Sequence, residues 1–284
     1  MSTASQRRPN DTLPTININQ IKTRLSKTWS DGDYAHFAKF MENGAIEVLD
    51  GWGIPKHSDM LDVGCGVGQT AIPAARMGVN VTGIDIAPNL VQAAKERAFK
   101  ENLTANFDVG DAEDLPYGSS QFDSIISMFG AMFAPRPEFV VQEFARVLRS
   151  GGKLYMANWT SNSMPARMFK SVAEVTPPPA GSVAPVLWGS EDIVRERLDE
   201  AFTDIQLTRK IYPQWQYPFD AAELVQLFRE YFGPVKRAFD ASDEAGQMAL
   251  FEKLVNTYRE NSQYENGILT ITGGEYLEVI ATRR

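Results

Sequence analysis

The segment Leu61-Asp62-Val63-Gly64-Cys65-Gly66-Val67-Gly68 sets three glycines between a short apolar strand, 60–63, and a helical pattern from Gln69 to Met77. Glycines at such a point let the backbone bend tightly and approach a ligand with no Cβ in the way. The helix amino terminus that follows turns free N–H groups toward the same place. Asp85 adds a second constraint. It closes another strand, 79–84, and lies 21 residues after Gly64, near the distance at which a strand-end acid reaches a ribose diol. One carboxylate matches two neighbouring hydroxyls in geometry and charge. In an open α/β sheet, ligands bind outside the carboxyl ends of the strands, where the bend and Asp85 both fall.

The surrounding pattern alternates strand and helix, the mark of a parallel sheet flanked by helices. A helix is expected over Pro88–Lys100, strands over Ala105–Val109, Phe122–Met128 and Lys153–Asn158, and a helix over 137–148. Pro73 is tolerated near a helix start, where the first N–H groups have no intrahelical partner. Ahead of this core, residues 1–14 are polar and aperiodic, the pattern of a disordered start. Ile18, Ile21 and Leu25 then suggest a short amphipathic helix up to Trp29. Asp33 opens a second helix carrying Phe37, Phe40, Met41, Ala45, Val48 and Leu49 on one face. Beyond residue 160 the rhythm loosens. Pro177-Pro178-Pro179 marks a stiff loop. Helical patterns recur at 191–201, 221–232 and 245–261, and strand-like runs at 205–211, 268–271 and 276–281.

Charge and cysteine usage narrow the function. The 284 residues carry a formal charge of −8 with scattered Lys and Arg, whereas a nucleic-acid binder needs a basic face for phosphates. The single cysteine, Cys65, rules out an internal disulfide framework and a CxxC metal site. No metal is expected, and a reducing cytoplasm is the natural compartment. No apolar stretch approaches the roughly 20 residues of a membrane span, and no signal-peptide core follows the start.

A nicotinamide dinucleotide would satisfy a glycine bend and a strand-end acid equally well, but the spacing here is GxGxG, not GxGxxG. With Asp62 in front, the block reads DxGxGxG. Together with Gly83-Ile84-Asp85-Ile86-Ala87, Gly110-Asp111-Ala112-Glu113-Asp114-Leu115-Pro116-Tyr117, Phe122-Asp123-Ser124-Ile125-Ile126-Ser127 and Arg146-Val147-Leu148-Arg149-Ser150-Gly151-Gly152-Lys153-Leu154, it resembles the class I S-adenosylmethionine (SAM)-dependent methyltransferases. The resemblance covers roughly residues 58–158 and is strongest toward small-molecule enzymes of the ubiquinone/menaquinone-biosynthesis type. It implies a Rossmann-like α/β fold with seven strands in the order 3-2-1-4-5-7-6, the last hairpin antiparallel. It implies that Gly64, Cys65, Gly66 and Gly68 form the bend beside the methionine part of SAM, with Asp62 near its ammonium. Asp85 would hold the ribose hydroxyls, Ile86 pack on adenine, Asp111 accept from the adenine amino group, Ala112 offer its N–H, and Met128 line the site. The chain then divides into an N-terminal helical lid (15–55), a SAM-binding core (56–158), and the rest of the sheet with an inserted helical cap (159–284), as one domain.

Methyl transfer from a sulfonium is an in-line displacement in which positioning supplies much of the catalysis, and a base is needed only when the acceptor must lose a proton. The sequence accordingly advertises no catalytic residue. Tyr34 and His36, on the lid, are the candidates for one. Trp29, Tyr34, Asn158, Trp159 and Trp188 are candidates for contact with an apolar or aromatic acceptor. The fourth strand ends Ser127-Met128-Phe129-Gly130-Ala131, without the Asn/Asp-Pro-Pro-aromatic pattern of amino-group modifiers of DNA and protein, and no Pro-Cys pair for cytosine methylation is present. A small-molecule acceptor is therefore expected; the alternatives are a SAM-binding fold that no longer transfers methyl and a nucleic-acid or protein methyltransferase.

Overall fold

The computed structural model describes residues 17–179 and 181–284; the start at 1–14 lies outside them. Three helices come first: α1 (Ile18–Trp29), α2 (Ala35–Ala38) and α3 (Glu42–Trp52). Asn17 caps α1 by accepting the Gln20 N–H, yet α1 buries no residue fully. An isolated helix of this length is marginal, so its place depends on the contacts along its inner edge.

One helix was expected from Asp33 to Leu49, and the structure breaks it. The first piece, α2, caps at Tyr34 without a side-chain cap bond, while Asp33, one residue earlier, accepts the Ala35 N–H at 3.1 Å. The turn then tightens, with Phe40 N–H bonded to Phe37 and Met41 N–H to Ala38. This sends Phe37 against Phe228 and Phe232 but Phe40 against Tyr217 and Phe219. Two rings that a continuous helix would stack on one face thus enter different parts of the cap. Helix α3 stops at Gly53, whose φ of 61° is left-handed, and Gly51 lies inside it.

The core follows as β1 (Asp59–Val63), α4 (Ala71–Arg76), β2 (Asn80–Asp85), α5 (Pro88–Lys100), β3 (Ala105–Val109), β4 (Phe122–Met128), α6 (Pro137–Val147) and β5 (Leu148–Trp159). The second half holds α7 (Met164–Val175), α8 (Glu191–Leu198), β6 (Phe202–Ile211), β7 (Gln216–Tyr217), α9 (Ala221–Tyr231), α10 (Gly233–Asp240), α11 (Glu244–Glu260), β8 (Ser262–Glu265), β9 (Ile268–Ile271) and β10 (Glu275–Arg283). The main sheet runs β3-β2-β1-β4-β5-β10-β6. Pairing is parallel from β3 to β5, and β10 is antiparallel to both its neighbours. With β10 as the seventh strand this is the expected Rossmann-like order. Leu61, Val63, Ile125 and Ile126 are fully buried, as central parallel strands covered on both faces require. β5 begins earlier than expected, at Leu148 beside Phe122, and absorbs the glycine pair through a register shift.

Between β6 and β10 the chain inserts α9, α10, α11 and a small sheet of order β7-β9-β8. α9 starts at a full capping box of Asp220 and Glu223, two reciprocal bonds that fix a helix entry. The lid's far end docks on this insertion at Gly233, where a Cβ would lie 1.9 Å from the Thr28 carbonyl oxygen. Only glycine admits that approach. Among the described residues, no helix is long and apolar enough to cross a membrane.

Candidate active site

The carboxyl ends of β1, β2 and β4 meet at one point. Gly64, Gly66 and Gly68 all have positive φ, at 75°, 53° and 82°. A Cβ on Gly64 would lie 2.6 Å from the Gly130 Cα, and one on Gly130 would lie 2.7 Å from the Gly64 Cα. Two bare backbones from neighbouring strands therefore touch at the floor of a cleft. The N–H groups of Gly64 and Cys65 are taken by the Ile84 carbonyl. Asp85 clamps the rest: Oδ2 accepts the Gly66 N–H and Oδ1 the Ala87 N–H, each at 2.9 Å. Burial raises the Asp85 pKa, against the lowering effect of these backbone bonds.

Asp62 lies beneath the bend at 1% exposure. Its Oδ2 accepts from the Thr70 hydroxyl, and its Oδ1 has no hydrogen-bond partner. Burial pushes its pKa up to about 7; the Asp85 charge adds to this, while the bonds from Thr70 and Ala71 oppose it. A buried carboxylate with an orphaned oxygen and no counter-charge is costly. A ligand ammonium would supply the missing partner.

The cleft above has a volume of about 130 Å³. Of the residues expected around SAM, Gly64, Cys65, Gly66, Asp85, Ile86, Asp111, Ala112 and Met128 line it. Asp62 and Gly68 do not; Gly68 turns the chain toward α4 and packs on Ile72. The Cys65 thiol is buried near Gly83, and burial pushes its pKa well up, so it behaves as a small packed side chain. Trp29 and Tyr34 close the cleft from the lid.

Lining residues absent from the sequence reading include Lys22, Thr70, Phe129 and Gly130. Phe129 directly follows β4 with φ 58°, a left-handed conformation that costs a bulky residue roughly 1–3 kcal/mol and tends to persist at functional sites. Its ring stacks on Trp159 with centroids 3.6 Å apart. Phe129 thereby joins the cleft to a second cavity of about 60 Å³. Five residues line both: Trp29, Tyr34, Met41, Phe129 and Phe133. The rest of the second cavity is Phe37, Trp159, Met164, Pro165, Met168, Phe169, Trp215, Phe228, Phe232 and Tyr258. No charged side chain is among them. Its polar atoms are largely engaged: Tyr258 donates to the Met168 sulfur at 3.3 Å, and Trp215 to the Tyr217 hydroxyl at 2.8 Å.

Three candidates for acceptor contact or catalysis fall elsewhere. Asn158 is 1% exposed and lines neither cavity. It precedes Trp159 on β5, and adjacent strand residues point to opposite faces, so only one of the two can face the cavity. Trp188 is core, with the Arg197 guanidinium 4.6 Å from its ring. His36 stacks on Tyr231, with centroids 4.0 Å apart, beside Asp33. Tyr34 stays at the junction of the two cavities, where burial and the Asp85 charge raise its phenol pKa.

Known proteins show the same pattern. Residues 61–156 match the methyltransferase domain family. An uncharacterized protein of Mycobacterium tuberculosis is 33% identical over 229 residues, which cover 80% of this chain and 83% of that one. The ubiquinone biosynthesis O-methyltransferase of Xanthomonas oryzae is 36% identical over 114 residues, 40% of this chain and 47% of its own. The chain belongs to the SAM-dependent methyltransferases. The fold of this methyltransferase is shared with phosphoethanolamine N-methyltransferase 2 of Haemonchus contortus in complex with phosphomonomethylethanolamine and S-adenosylhomocysteine. That likeness has a TM-score of 0.57 at 22% identity and covers 85% of this chain and 52% of the other. The cofactor of the methyltransferase is SAM, which supplies a methyl group on a cationic sulfur.

Proposed function

We propose that this methyltransferase transfers the SAM methyl group to a small, uncharged acceptor of apolar or aromatic character, held in the second cavity. The observation that carries the reading is that cavity's lining, aromatic rings and methionines without a charged group, joined to the cofactor cleft through shared walls. A charged acceptor would lose its hydration there and find no counter-charge, a cost of several kcal/mol. A flat neutral ring gains burial and offset or edge contacts with Phe and Trp.

In this reading Gly64 and Gly66 pass the methionine part of SAM and Asp62 meets its ammonium. Asp85 accepts the ribose hydroxyls, Ile86 covers the adenine, and Asp111 with the Ala112 N–H reads its edge. Met128 and Phe129 then flank the passage to the acceptor. Catalysis is positional. Among the described residues, Tyr34 and Tyr258 are the only ionisable side chains lining this cavity, and burial raises both their pKa values, which makes the tyrosinate a rare species at neutral pH. The acceptor must therefore bring a nucleophile that reacts without strong base assistance, and the Tyr34 hydroxyl serves to orient it.

Methyl-labelled SAM offered with neutral pyridines, aryl amines and aryl thioethers, each beside a carboxylated or phosphorylated analogue of the same ring, tests this. Label should pass to neutral members and not to their charged counterparts. Preference for the charged analogues would refute the acceptor class. Tight SAM binding with no transfer to any acceptor, a cell extract included, would favour the alternative of a SAM-binding protein without methyl transfer.

A further inference from the structure

We propose that Lys22 is a positioning residue of the cofactor site, which orients Asp111 toward the adenine and fastens α1 over the cleft. The inference rests on the reading that Asp111 contacts the adenine. Lys22 Nζ lies 2.5 Å from Asp111 Oδ2 and 2.6 Å from Glu113 Oε2. These are not ordinary surface pairs, which contribute little. The Glu113 side chain is fully buried and that of Lys22 is 17% exposed. Glu113 already has a second cation, since Arg136 Nε lies 2.7 Å from its Oε2 and the Arg136 N–H donates to Oε1 at 2.6 Å. Lys22 is thus the cation that serves Asp111.

The other Asp111 oxygen, Oδ1, accepts the Glu113 N–H at 2.9 Å. Each carboxylate oxygen so holds one donor and keeps lone-pair capacity for another, and the plane of the carboxylate is set by Lys22 on one side and backbone on the other. Removing the ammonium leaves the Asp111 carboxylate beside Glu113 without a cation of its own, since Arg136 pairs with Glu113. Asp111 would then turn toward solvent.

The same contact is a main polar tether of α1. The helix buries no residue fully, and its other bonds to the rest of the fold are from the Ser26 hydroxyl to the Ile86 carbonyl at 2.9 Å and from the Arg24 guanidinium to the Pro177 carbonyl at 3.0 Å. The Lys22 and Ser26 tethers end on residues expected to hold adenosine. A helix fastened at those points is stabilised by whatever orders them, so cofactor affinity and α1 order are coupled, and the coupling is reciprocal.

The test compares wild type, Lys22→Gln and Lys22→Arg by calorimetry with S-adenosylhomocysteine and by hydrogen exchange of residues 18–29 without ligand. Lys22→Gln should bind about tenfold more weakly, the size of one partly buried charge-assisted bond, and its α1 amides should exchange faster. Lys22→Arg should recover most of the affinity. Affinity within twofold of wild type for Lys22→Gln, or equal losses in the two variants, would overturn the proposal. A wild-type protein that fails to bind S-adenosylhomocysteine would overturn the cofactor-site reading beneath it, a result distinct from either.

Discussion

Asp62→Asn removes a charge that the ligand-free fold holds at a cost and that the bound cofactor is read to use. Burial raises the Asp62 pKa from 3.8 to about 7. At about 1.4 kcal/mol for each pH unit, keeping it ionised above pH 7 costs the free protein about 4 kcal/mol. Between about pH 4 and pH 7 the folded chain retains a proton that the unfolded chain has released. The stability from the protonated acid is therefore full below pH 4 and is lost as pH rises to 7. Asparagine has no such dependence. Its amide can still accept from Thr70, but its NH₂ would take the place of the orphaned oxygen and stay unpaired, at about 1–3 kcal/mol. The variant should then be more stable than wild type at pH 8 by about 1–3 kcal/mol. Between pH 5.5 and pH 8 its advantage should grow by about 2 kcal/mol. Urea unfolding at both pH values measures this directly. Binding of S-adenosylhomocysteine should weaken by about tenfold to a hundredfold as its ammonium loses a buried partner. An identical stability difference at the two pH values would refute the argument.

Other substitutions probe the same architecture. Asp85→Ala should weaken S-adenosylhomocysteine binding by about a hundredfold or more, since two ribose bonds and the clamp on Gly66 go together; calorimetry on a sample with native circular dichroism decides it. Gly130→Ala keeps an allowed backbone (φ −101°) but drives a methyl into the Gly64 backbone, and should lose about 1–3 kcal/mol in denaturant unfolding. Gly51→Ala is the opposite case. It lies inside α3 with nothing within 4 Å of the new Cβ, and the same measurement should show a gain of about 0.5–1 kcal/mol.

The core was legible because its signals are local. An apolar strand, a glycine bend and a strand-end acid follow one another within a few residues, and β3, β4 and α5 fall where the pattern puts them. Helix α7 was missed although Ser163 and Pro165 are start signals, because its buried face combines Met164, Met168 and Val172 with a serine, Ser171. The second cavity, proposed for the acceptor, was not legible as a unit. Its rings come from the N-terminal helices, the end of β4, β5, α7, α9 and the inserted segment, and a sequence pattern cannot say which of them face one another. Lys22 carries no local signal, since both its partners stand after β3. Phe129 was passed over because a left-handed phenylalanine at a strand end is not encoded by any turn residue.

The five side chains that belong to both chambers have an evolutionary consequence. With the proposed acceptor seated in the second cavity, a substitution at Trp29 or Phe129 reshapes the compartment for the methyl donor together with that for its recipient. On that reading, diversification of what the enzyme modifies proceeds through rings on the remote wall, Phe169 and Phe228 among them, while the partition stays constant.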